Sequence, residues 1–175
     1  MIDSEAVLRA DIAKLLQSCS TLALATLSRS ASVKGVADVQ EPWAAQLFFV
    51  SDENLSLYFI SSPESRHCQD LLRNPHVAAT ISGDTSDWLS VKGLQIRGRA
   101  KPLPKSQYAR VLALYLSKSP QLQALYQRPT NPNEEKIRQR LMDANFYRID
   151  PVWIRVIDNS RGFSHKCELK LDSFV

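Results

Sequence analysis

Ser61, Ser62, Ser65, Arg66 and His67 follow an apolar run, Leu57-Tyr58-Phe59-Ile60, and precede a short amphipathic stretch ending at Asn74-Pro75. Hydroxyls, a guanidinium and an imidazole gathered where a strand hands the chain to a helix are the parts of an anion site. The first amides of a helix lack intrahelical acceptors, and the helix dipole places positive charge at that end. Phosphate is a frequent ligand of such a place. The spacing predicts Ser62 as the N-cap, Pro63 as the first helical residue and Ser65 as the third. The same spacing also fits plain capping, with Arg66 as a surface charge, because the glycines of a P-loop are absent.

Other chemistries have less to work with. No serine stands in a Gly-x-Ser-x-Gly elbow. His67, His76 and His165 lack triad or metal spacing, and no carboxylates are paired at a fixed interval. A chain that can hold an anion but shows no acid, base or nucleophile set points to chemistry supplied by a cofactor. Gly93 and Gln95 lie on a long strand-like run, where a glycine would let a ligand approach the backbone and an amide could read a polar ring edge. The plainer reading is a relieved strand and a solvent-facing amide.

The elements that must position these residues are mostly short strands. A helix starts at Asp3-Ser4-Glu5, with Val7, Leu8, Ile12, Leu15, Leu16 and Cys19 at helical spacing. A strand over Thr21 to Leu27 is apolar on both alternations, which predicts burial on both sides, with Ala23 and Ala25 leaving room for a close approach. Arg29 to Glu41 reads equally as a loop or a weak hairpin. Trp43 to Val50 and Leu55 to Ser61 form an antiparallel pair across Asp52-Glu53-Asn54. The helix after Ser62 ends with Asn74 as a left-handed cap before Pro75. His76 to Ser82 is a fourth strand and Trp88 to Leu103 a fifth. The fifth switches its apolar alternation at Lys92-Gly93, as a β-bulge would. Helices are predicted from Pro104 with a Tyr108, Val111, Leu112, Tyr115, Leu116 stripe, then over Pro120 to Tyr126 and Glu134 to Met142. Phe146 to Ile149 and Val152 to Ile157 are strand-like, broken at Asp150-Pro151. A polar loop over Asp158 to Lys166 precedes a last short strand at Leu169 to Leu171. Strands that follow one another directly favour antiparallel pairing. The expected fold is therefore mainly β (α+β), an antiparallel barrel with peripheral helices.

At 175 residues, the chain suits one domain, 1–175, with a helical excursion over about 104–143. A net charge of +4 suits an anionic ligand, and no basic run or aromatic–basic stripe suggests nucleic acid. The cysteines, Cys19, Cys68 and Cys167, are odd in number and not at metal-ligand spacing, which predicts reduced thiols and a cytoplasmic protein. No apolar run suggests a signal peptide or a membrane span.

Together these motifs resemble the pyridoxamine 5′-phosphate oxidase-like family of FMN-binding split β-barrels. The resemblance runs from about Leu22 to Lys166. It rests on Ser61-Ser62, Ser65-Arg66-His67, Asn74-Pro75 and Gln95-Ile96-Arg97-Gly98-Arg99-Ala100. Trp43-Ala44-Ala45-Gln46-Leu47-Phe48-Phe49 and the segment from Asp158-Asn159 through Gly162-Phe163 to Lys166 resemble a small-protein branch of that family. The resemblance implies FMN in a groove between two barrels of a homodimer. Its phosphate would meet Ser61, Ser62, Ser65, Arg66 and His67. The backbone of Ala45, Gln46, Leu47 and Phe48 would line the isoalloxazine. Gly93 and Gln95 would reach the ring or ribityl chain, and the loop from Asn159 to Lys166 would close the pocket. Ala45 stands where the oxidase has arginine and His67 where it has lysine, so the implied activity is an oxidoreductase on an unspecified small molecule. Related barrels that bind the deazaflavin F420 or haem, and a flavin-binding protein without turnover, are the alternatives.

Overall fold

The computed structural model describes residues 4–29 and 40–171. Helix α1, Glu5–Ser18, opens with Ser4 as its cap, its hydroxyl accepting from the Val7 amide at 3.4 Å. Leu8, Ile12 and Leu16, spaced one turn apart, are its buried stripe. Then come β1 (Thr21–Arg29), β2 (Gln40–Ser51), β3 (Leu57–Ser61), α2 (Arg66–Arg73), β4 (His76–Ser82) and β5 (Lys92–Pro102). Three helices form the excursion: α3 (Tyr108–Lys118), α4 (Pro120–Gln127) and α5 (Pro132–Asp143). The chain returns through β6 (Asn145–Asp158) and β7 (Lys166–Lys170).

All pairings are antiparallel, in the order β3-β2-β1-β4-β5-β6-β7, and β3 also pairs with β6, so the sheet curls back on itself. Strand β6 is long enough to serve two neighbours along one edge. Asn145 to Ile149 meets β3, and Trp153 to Ile157 meets β7. The curl gives the sheet an inner face carrying Leu22, Leu24, Phe49, Phe59, Ile81, Ile96, Ile149 and Ile154, packed with residues from α1 and α2. A smaller apolar cluster of Val50, Tyr58, Val111, Tyr115 and Phe146 seats α3 outside. This is the expected antiparallel barrel with peripheral helices. Among the described residues, no helix is long and apolar enough to cross a membrane, and Cys19, Cys68 and Cys167 are free thiols.

Several expectations are corrected. The second face of β1 is open in the single chain: Ala25 and Leu27 are exposed, because α1 and α2 pack on the inner side and α3, outside, sits over β2, β3 and β6. Residues 30–39 lie outside the described residues, but Arg29 pairs with Gln40, so the flanks are the limbs of an antiparallel pair. Strand β3 starts at Leu57, because Leu55 sits at φ 64° in the preceding turn. Helix α2 begins three residues later than predicted, with Ser65 at the N-cap, and Asn74 is extended at φ −140°. The alternation change near Gly93 is no bulge. Trp88–Ser90 is a 3₁₀ turn with its own face pattern, and β5 starts only at Lys92. The register shift falls between Arg97 and Gly98, where β6 inserts Val152 after Pro151. Proline cannot donate to the ladder, so the insertion lets β6 continue as one strand where an interruption was expected. A Cβ on Gly98 would lie 2.6 Å from the Asp150 carbonyl oxygen, which is why glycine stands there. The final strand is Lys166–Lys170, since Lys166 already pairs with Ile157.

Candidate functional site

The β3–α2 junction brings three predicted residues together. Strand alternation puts Ser61 on the inner face, in step with Phe59. The first turn of α2 turns His67 back against it. The Ser61 hydroxyl lies 2.8 Å from His67 Nε2, Ser65 Oγ lies 3.1 Å from the same nitrogen, and the two hydroxyls are 3.1 Å apart. Ser65 spends its proton on the Ser62 carbonyl at 2.8 Å. Its oxygen is therefore left to accept, which assigns a proton to His67 Nε2. His67 is buried and packs edge-on against Phe59. Burial lowers its pKa below the usual 6.5, with the Asp70 carboxylate opposing the shift. Asp70 is itself engaged, accepting from Thr26 Oγ1 at 2.8 Å.

The helix end beside this cluster is uncapped. Ser65 makes no side-chain cap bond, the first turn holds no acidic residue, and the first closing bond is Gln69 N–H to the Ser65 carbonyl. The amides of Arg66, His67 and Cys68 take no acceptor from the described residues. The serine expected as the cap, Ser62, is exposed and instead accepts from the Glu64 amide at 3.3 Å.

Arg66 makes its contacts outside the cluster. Its Nη2 donates to Glu41 Oε2 at 2.6 Å and to Ser28 Oγ at 3.2 Å, and its guanidinium lies 4.9 Å from the Trp43 ring centroid. No pattern in the sequence pairs Glu41 with Arg66. The contact exists because the β1–β2 register sets Glu41 opposite Ser28 and Trp43 opposite Thr26, under α2.

A second feature went unread in the sequence. Strand β3 pairs with β2 only from Phe49 to Ser51 before turning into α2. Among the described residues, no strand pairs with the rest of that β2 edge. The Phe48 carbonyl on this side accepts from the Tyr115 hydroxyl at 3.0 Å. Alternation then turns the N–H and C=O groups of Ala44 and Gln46 to the same open side. A free strand edge is reactive toward any group that completes its hydrogen bonds. The side chains of Ala45 and Leu47 are half-buried on the inner face, whereas those of Gln46 and Phe48 are exposed on the outer one.

The remaining predicted residues lie elsewhere. A Cβ on Gly93 would be 2.8 Å from the Ile81 carbonyl oxygen, so its glycine serves strand packing. Gln95 is on the outer sheet face and accepts from Arg155 at 3.3 Å. Asn159 stitches its own loop, donating to the Trp88 carbonyl at 2.7 Å and accepting from the Ser164 amide at 3.1 Å. Lys166 is exposed at the start of β7. The outer face also carries a groove of about 540 Å³ over Ala25 and Ala78, edged by Leu27, Pro42, Arg97 and Arg99.

Comparison with known proteins places this geometry in context. A UPF0306 protein of Klebsiella pneumoniae is 25% identical over 134 residues, covering 76% of this chain and 80% of that one. A heme binding protein from Mycobacterium smegmatis superposes with a TM-score of 0.60 at 17% identity, over 91% of this chain and 57% of that one. A FAD-binding protein from Mesorhizobium loti superposes at 0.54 and 17% identity, over 83% and 90%. These superpositions show a shared fold. The sequence pattern of pyridoxamine 5′-phosphate oxidase matches residues 8–157, most of the described barrel, and the chain therefore belongs to the pyridoxamine 5′-phosphate oxidase family.

Proposed function

We propose that this protein binds FMN at the β3–α2 junction and works as a flavin-dependent oxidoreductase on a small molecule, with the cofactor at the interface of a homodimer. The observation that carries the reading is the convergence of the Ser61 and Ser65 hydroxyls and His67 Nε2, within 3.1 Å of one another, beside three amides of α2 that take no acceptor from the described residues. Hydroxyl, imidazole and amide donors with no acid in the helix's first turn suit a phosphate. The open β2 edge at Ala44 and Gln46 offers alternating donors and acceptors, which suits the polar rim of a flavin ring. Flavin, when bound, supplies hydride chemistry that no side-chain set in this chain offers. This chain's residues would hold the phosphate and orient the ring.

The outer face supports the dimer. Phe48 is 71% exposed, Leu27 is also exposed, and the alanine-floored groove adjoins Leu27. Such surfaces are usually covered in the working protein.

The test is the absorption spectrum of the purified protein, followed by titration with FMN and with riboflavin. A flavin band near about 450 nm, and FMN binding tighter than riboflavin, are expected. A Soret band on haem addition with no flavin affinity would overturn the reading in favour of a haem protein. Light scattering should give the mass of two chains; a monomer that binds FMN normally would remove the shared groove.

A further inference from the structure

We infer that Glu41 sets the affinity of the junction for a phosphate by competing for Arg66, a conclusion that rests on the proposed phosphate site. Arg66 is the first residue of α2 and lies between Ser65 and His67 in the chain, so its side chain starts at the site. Its guanidinium nevertheless leans onto the N-terminal part of β2, where Nη2 serves both Glu41 Oε2 and Ser28 Oγ. Nη2 carries both polar contacts, so in this pose that nitrogen is committed to β1 and β2 and not to an oxyanion beside the serines.

Three observations make Glu41 a competitor and not a support. The ion pair is partly exposed, with side chains 37% and 57% exposed, and what else the guanidinium gives up on moving is its bond to Ser28 and the face of Trp43. Asp70, one turn further along α2, is taken by Thr26, and Glu64, just ahead of the helix, is exposed and forms no ion pair with Arg66 among the described residues. The α2 end has no carboxylate of its own, and Glu41 is the acid paired with its first cation. A phosphate held at the α2 amides by the positive end of the helix dipole brings negative charge of the same sign as Glu41 with more acceptor oxygens, and that denser negative charge draws Arg66. Trp43 and Ser28 then mark the resting position of Arg66, and Glu41 is the residue whose charge determines how readily it leaves.

The experiment measures FMN and riboflavin affinity by flavin fluorescence in the parent protein, Glu41→Gln, Arg66→Ala and the double variant. Glu41→Gln keeps the shape and removes the charge. FMN binding should tighten by about two- to five-fold, the size of an exposed ion pair, with riboflavin unchanged and the gain absent in the double variant. The gain should shrink as salt rises. Weaker FMN binding in Glu41→Gln would overturn the inference, by showing that Glu41 orients Arg66 for the phosphate. Unchanged FMN affinity in Glu41→Gln, with a loss in Arg66→Ala, would also overturn it and leave the phosphate site standing. Equal affinity for FMN and riboflavin in all four proteins would overturn the phosphate site itself, and the inference with it.

Discussion

The two ends of β3 use similar polar residues and reach opposite electrostatic states. At its start, Asp52 is 3% exposed and accepts from the Asn54 and Ser56 amides, the Tyr58 hydroxyl and Arg110. Burial and the Asp52 carboxylate hold the Tyr58 hydroxyl protonated above its ordinary 10. Ser56 links this corner to Asp150 and Arg148 across the barrel seam. Each donor named there ends on an acceptor, and a carboxylate sits at the centre. At the other end, hydroxyls and an imidazole contact one another, three amides take no acceptor from the described residues, and Arg66 is paired with Glu41. A network with its own anion is architecture. The one without an anion of its own is where the proposed phosphate would sit.

The contrast is broken most severely at the closed end. Asp52→Ala leaves Arg110, Tyr58 and two amides without their acceptor and should destabilise the fold by about 3 kcal/mol. Urea unfolding measures this, and FMN affinity of the folded fraction should not change. At the open end, Arg66→Ala should weaken FMN binding by about 1.5–3 kcal/mol, the worth of a charge-assisted bond, with a normal melting temperature. If both variants lowered stability alone, the two ends would be equivalent and the contrast would fail. Ser65→Asp sharpens it. An aspartate at an N-cap that makes no cap bond should raise stability by about 0.5–1 kcal/mol while repelling phosphate, so thermal melting and FMN titration should move in opposite directions.

The subtlest effect is a slope with pH. Burial lowers the pKa of His67 below its usual 6.5, so protonation favours the unfolded chain. Its contribution to stability is full above 6.5 and is lost as pH falls from there through the lowered folded value. A bound phosphate favours the imidazolium, so FMN affinity should rise over the same window. His67→Gln should flatten both slopes in chemical unfolding and fluorescence titration. A slope that survives in His67→Gln would assign the proton to another group.

Much of the barrel was legible because its signals are local. The Leu22 and Leu24 alternation, the Asp52-Glu53-Asn54 turn and the His76–Ser82 strand depend on neighbours in the chain. The bulge was displaced because Trp88-Leu89-Ser90 mimics strand spacing and because its true cause, Val152 beside Pro151, lies on another strand. The helix start was misplaced because Ser62, Pro63 and Ser65 satisfy two capping registers. Only the fold selects the later one, by directing Ser65 Oγ to the Ser62 carbonyl.

The sequence by itself determined the mainly antiparallel strand order, the helical excursion, the free thiols and the residue types gathered at Ser61 to His67, since each follows from periodicity, turn chemistry or composition. Only the tertiary structure decided which of those residues meet. Register placed Glu41 and Trp43 beneath α2 and drew Arg66 onto them. The early departure of β3 bared the edge of β2. Both depend on contacts between segments far apart in the chain, and one-residue changes of register would abolish them, which is why no local pattern announces them.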